Sequence, residues 1–116
     1  MIKDNLQAGQ TAMAFATYLP KEGKDQVLLD LLRKHLPTLR SLQLATDRQN
    51  YLARSENGTI IEVFEWASMN AVRAAHNHPA IIDIWEKIGQ LAEIVPMASL
   101  QEGAHPFPVF DLLNPI

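Results

Sequence analysis

The chain contains no cysteine. Disulfides, thiolate nucleophiles and cysteine-based zinc sites are excluded together. No Gly-rich phosphate loop is present, so nothing points to a nucleotide or flavin, and no cofactor is expected. No apolar run approaches the roughly 18 residues of a membrane span. The ten Lys and Arg form no cluster and the net charge is −3, so the footprint of a nucleic-acid partner is missing. The opening MIKDNLQAGQ is polar and has no apolar h-region, so no secretory signal and a reduced, cytoplasmic location are expected.

What the chain does have is enough apolar material for one core. At 116 residues and 47 % apolar it is expected to be a single domain, 1–116, with a loose lead-in at 1–10 and a C-terminal arm at 101–116. Thr11–Leu19 alternates as a strand, separating Ala12, Ala14, Ala16 and Tyr18 from Met13, Phe15, Thr17 and Leu19. The alanine row predicts close approach of a helix on that side, with Phe15 and Thr17 on the other. Lys24–Leu36 carries Leu28, Leu31, Leu32 and His35 at helical spacing, and Pro37 is expected to stop it. His35 reads as a boundary histidine with a satisfied ring nitrogen.

Leu42 and Leu44 alternate with polar neighbours and predict extended structure, resumed at Tyr51–Arg54. Asn57-Gly58 is a hairpin signal, pairing Tyr51–Arg54 antiparallel with Thr59–Ala67. In that third strand Ile60, Glu62, Phe64 and Trp66 share one face. Ser68 is the expected N-cap of a helix from Met69 to Asn77. Pro79 either kinks that helix or opens a new one with His78 at its N-cap. Ile81, Ile84, Trp85, Ile88, Leu91, Ala92 and Val95 then form a helical stripe that Pro96 ends, and Met97–Leu100 is expected to be the last strand.

The order β-α-β-β-α-β predicts an α+β, ferredoxin-like antiparallel sheet with its helices on one face. The uncovered face is expected to expose Ile60, Phe64, Trp66 and Phe15, and an apolar patch of that size predicts a face-to-face homodimer.

The run GTIIEVFEWAS, His76 ten residues beyond Trp66, and the turn marked by Gly23 give the chain a resemblance to the antibiotic-biosynthesis-monooxygenase-like group of dimeric α/β barrels, over about residues 11–100. The resemblance implies a fold and a pocket between sheet and helices, with Trp66 and His76 pointing into it. It implies a range of activities, from cofactor-independent oxygenation of polyketide quinones to haem degradation. The haem-degrading members also use an asparagine on the first strand, and none stands between Thr11 and Leu19 here, which leaves a haem-binding or haem-degrading role as the lesser alternative.

The expected site is a pocket for a small apolar or aromatic ligand, with His76 and Glu62 as acid or base. Phe64 and Trp66 would form an aromatic wall, and Phe15, Tyr51, Arg48 and His78 complete the candidate set. A carboxylate among apolar groups must be paired or shifted in pKa, and Arg48 or Arg54 is the expected partner of Glu62. His76 and His78 diverge at i and i+2, so no metal site is expected. The functional expectation is a small-molecule pocket protein, with cofactor-independent monooxygenation as its chemistry and a non-catalytic ligand-binding dimer as the alternative.

Overall fold

The computed structural model describes residues 10–114. The expected lead-in therefore lies outside the described residues, apart from Gln10. The fold is α+β, with one five-stranded antiparallel sheet and three helices, compatible with the ferredoxin-like arrangement. The strands are β1 (Ala12–Pro20), β2 (Tyr51–Arg54), β3 (Ile60–Trp66), β4 (Ala92–Ile94) and β5 (Asp111–Leu112), in the spatial order β4-β1-β3-β2-β5. The helices are α1 (Asp25–Ser41), α2 (Met69–Ala75) and α3 (Pro79–Leu91). No described helix is long and apolar enough to cross a membrane.

Register sets the faces. Ala12, Ala14, Ala16 and Tyr18 of β1 stand opposite Trp66, Phe64, Glu62 and Ile60 of β3, and residues directly opposite share a face. Leu52 of β2 continues the row beyond Glu62. All three helices pack on this side, since Leu28, Leu32, Leu36, Leu39, Ala71, Ala75, Ile81 and Ile88 share clusters with Phe64, Trp66, Ile60 and Leu52. Ile60, Phe64 and Trp66 are thus buried under the helices, not laid out on the uncovered face as expected. Of the four residues assigned to that face, only Phe15 is there, 44 % exposed beside Met13 at 68 %.

Local chemistry explains the boundaries. Asn57-Gly58 makes the β2–β3 turn, with Gly58 at φ +91°, a value that costs glycine little. Ser68 caps α2 by accepting from the Ala71 N–H at 3.0 Å. Pro79 sits in the first turn of α3, and the His78 ring caps that helix by accepting from the Ala80 N–H at 3.2 Å.

Several boundaries differ from expectation. Pro37 lies inside α1, which runs on to Ser41. The missing N–H costs about 3 kcal/mol, but the stripe continues through it, and Leu36 and Leu39 beyond Leu32 are buried in the core. Leu42–Leu44 is the end of this helix and not a strand. Gln43 takes φ +62°, its N–H donates to the Arg40 carbonyl, and the Leu44 N–H reaches back to the Leu39 carbonyl at 2.8 Å. That pattern is a Schellman cap, with Leu39 and Leu44 in one cluster.

At the other end α3 stops at Leu91, and Ala92–Ile94 joins the edge of β1. Val95 precedes a proline, which disfavours helix there, and it bonds with Thr17 instead, through its N–H and through its carbonyl. Met97–Ser99 is a 3-10 turn, not the expected last strand. The expected arm crosses to the far edge of the sheet, where β5 pairs with β2 and Asn114 bonds to the backbone of Leu52 and Asn50.

Candidate functional site

The alanines of β1 make room. Ala14 and Ala16 line a cavity of about 400 Å³ between sheet and helices, together with Phe64, Trp66, Val72, Trp85 and Ile88. That volume lies in the range of small-molecule sites. The alanine row was expected to let a helix approach closely; here small side chains leave space in place of contact. β4 pairs with Tyr18–Pro20, and the cavity borders β1 at Ala14–Ala16, before that pairing begins. Phe64 and Trp66 form one wall, with ring centroids 5.1 Å apart.

Beneath the cavity floor lies Glu62, 1 % exposed. Its partner is neither arginine. The Tyr18 hydroxyl, diagonal to it on β1, donates to Oε1 at 2.8 Å. The His35 Nδ1 on α1 lies 3.0 and 3.1 Å from the two carboxylate oxygens. His35 is itself 2 % exposed, a core residue and not a boundary one. Its other nitrogen, Nε2, accepts from the Trp85 indole N–H at 3.0 Å. An indole nitrogen only donates, so Nε2 is unprotonated, and the ring proton sits on Nδ1 and points at Glu62. The chain Trp85–His35–Glu62–Tyr18 is therefore directional, with every donor facing an acceptor. Burial, followed by the charge of the Glu62 carboxylate and the hydrogen bond to it, pushes the Tyr18 phenol well above the ordinary tyrosine value.

The remaining expected site residues separate into two groups. His76, at the C-terminal cap of α2, lines the cavity with its ring 4.8 Å from that of Trp85. Trp66 and Phe64 line it as well, and Phe15 contributes at its edge. The other residues lie elsewhere. Arg48 bonds to Glu65 at 3.0 Å, where the Thr46 hydroxyl and then the Arg48 guanidinium hold the Glu65 carboxyl below its usual range. Arg54 leaves its Nε buried without a partner among the described residues. Tyr51 is opposite Val63, on the face away from the helices and half exposed. His78 is occupied as a helix cap. Glu62 does not line the cavity, so it reaches a ligand only through Tyr18 or His35.

Tyr18, His35 and Trp85 complete the site: the sequence offers Tyr18 only as a possible hydroxyl donor, and His35 and Trp85 were outside the expected set. A signal existed for each. Tyr18 ends the alanine row that shares a face with Glu62, His35 lies on the apolar stripe of α1, and Trp85 sits in the stripe of α3. Sequence spacing showed the faces but not that the three converge on one carboxylate.

The raised Tyr18 phenol gives a test at high pH. Below about pH 10 the phenol is neutral in both the folded and the unfolded chain, and stability is unaffected. Above it the unfolded chain ionises first, so stability falls as pH rises towards the folded value. Tyr18→Phe is expected to flatten this alkaline decline in urea melts, while costing about 1–3 kcal/mol at pH 7 through the lost donor to a buried carboxylate. Parallel declines in variant and wild type would show that the phenol is not held neutral by its surroundings.

No protein-family model matches the chain, and no curated protein or solved structure matches it significantly.

Proposed function

We propose that this chain is a small-molecule pocket protein for a planar aromatic ligand that carries an ionisable hydroxyl and an acceptor oxygen, and that His76 takes the hydroxyl proton. The observation that carries the reading is the state of the polar groups on the cavity wall. Tyr18 and His35 are both engaged with Glu62, and Trp85 with His35. The His76 ring and the Trp66 indole N–H make no hydrogen bond among the described residues, and the two residues both line the cavity. An imidazole nitrogen can accept a hydrogen bond, and an indole N–H only donates one. A phenol with a carbonyl, or a quinone-like molecule, complements that pair, and the aromatic walls suit its plane. Room for about two or three aromatic rings is consistent with the cavity volume.

Proton removal is also the first step of the cofactor-independent oxygenation that the sequence resemblance implies, since an electron-rich anion is what reacts with oxygen. Here His76 is the base, and Glu62 serves behind the wall.

The same reading includes a homodimer. Phe15, Val63 and Tyr51 lie in one row across β1, β3 and β2 on the face away from the helices, with Phe15 and Tyr51 exposed, and a second copy would cover them. Light scattering at micromolar concentration is expected to return twice the 13.0 kDa of the chain, and a particle of 13.0 kDa would remove the dimer from the reading.

For the ligand, 7-hydroxyflavone and its 7-methoxy analogue are suitable probes. In calorimetric titration His76→Ala is expected to weaken 7-hydroxyflavone by about tenfold, the equivalent of one hydrogen bond. The methoxy analogue, which has no proton to give, should be unaffected. His105→Ala, on the exposed C-terminal arm, should bind both probes as the wild type does. Equal affinity of the His76 variant and the wild type for 7-hydroxyflavone would overturn the assignment.

A further inference from the structure

The hydrogen bond from Trp85 directs its indole N–H at His35, while the ring itself borders the cavity and packs on His76. Trp85 lines the cavity and is only partly buried, so packing alone does not enclose it. Its nitrogen is tied 3.0 Å from His35 Nε2. Its ring lies 4.8 Å from the ring of His76 at a tilt of 60°, and His76 makes no side-chain hydrogen bond of its own among the described residues. The orientation of His76 therefore depends on what it packs against. His35 can accept from Trp85 only while its proton stays on Nδ1, and what faces that proton is the Glu62 carboxyl group, with oxygens 3.0 and 3.1 Å away as acceptors.

We propose that Glu62 and His35 are positioning residues, a tautomer lock that fixes Trp85 and, through Trp85, holds the His76 ring at the cavity wall. The lock runs from a fully buried carboxylate to a solvent-reachable imidazole in three contacts: Glu62 to His35, His35 to Trp85, Trp85 to His76. It explains why a carboxylate outside the cavity is built into the floor beneath it. It deepens the ligand-site reading, resting on it for its purpose, but its test needs no ligand.

The test is nitrogen-15 NMR of the histidine rings in the whole protein at neutral pH. The His35 signals are identified by their loss in His35→Gln. His35 is expected to be neutral with Nδ1 protonated and Nε2 bare, and Trp85→Phe, which keeps a ring but removes the donor, should move the Nε2 signal to that of an unbonded acceptor. The His76 ring protons are expected to be displaced from those of the exposed His105 by the ring current of Trp85. Glu62→Gln offers His35 a donor as readily as an acceptor, so His35 should populate both tautomers and the His76 displacement should shrink towards the His105 values. A proton on Nε2 in the wild type would overturn the lock without any variant having to fold. A His76 displacement unchanged in Glu62→Gln would overturn the positioning role even where the tautomer is as expected. Either failure is separate from failure of the ligand reading, which is decided by the flavone titrations.

Discussion

A buried carboxylate with no Lys or Arg bonded to it among the described residues is the constraint around which this protein is arranged. Removing a charge of that kind from water costs several kcal/mol even after relaxation, and the cost is tolerable only when the oxygens are well bonded. Glu62 meets it with two neutral donors from two different elements, a phenol from β1 and an imidazole from α1. Both must be in place, so α1 has to lie across the sheet at the position that puts His35 over Glu62. The indole of α3 then completes the imidazole's second bond. Four elements, α3, α1, β3 and β1, are registered by one polar chain in a largely apolar core that includes Leu28, Leu32, Ile60 and Ile88.

The cavity follows from the same arrangement combined with side-chain size. On β1 the positions facing the helices are alanines until Tyr18, while the partner positions on β3 are large. Helices held off the sheet by Trp66, Phe64 and Trp85 cannot close down on the alanines, and the space persists beside them. The short β4 pairs only with Tyr18–Pro20, beyond that stretch of β1. The fold thus yields a pocket with aromatic walls, a floor whose polar groups are bonded to one another, and a His76 ring at the wall with no hydrogen bond among the described residues.

Much of this was legible in the residues. The Asn57-Gly58 turn, the Ser68 cap, Pro79 opening α3 and the antiparallel pairing of β2 with β3 all follow from local chemistry, and local chemistry decides them in the structure too. Where tertiary packing competes with local rules, the local reading failed. Pro37 is a helix breaker by rule, yet burial of Leu36 and Leu39 carries α1 through it. Gln43 takes a left-handed conformation that glycine usually fills, so the Schellman cap was hidden and Leu42–Leu44 resembled a strand. The stripe of α3 continues in pattern to Val95, but the open edge of β1 takes Ala92–Ile94 as a strand.

At the site, the alternation in β3 grouped Glu62 with Phe64 and Trp66 correctly, but which side of the sheet the helices cover depends on the whole fold. Arginine was the expected partner of Glu62 because opposite charge is the simplest solution, and Arg54 does share the helix side of the sheet. The core used neutral donors instead. The measurement that bears most directly on this account is a double-mutant cycle between Glu62 and His35, with Glu62→Leu, His35→Phe and the double variant compared in urea melts at pH 7. A buried hydrogen bond to a carboxylate predicts that the two single losses exceed the double loss by a coupling of about 1.5–3 kcal/mol. Additivity to within about 0.5 kcal/mol would mean that the two side chains do not depend on each other, and would contradict it.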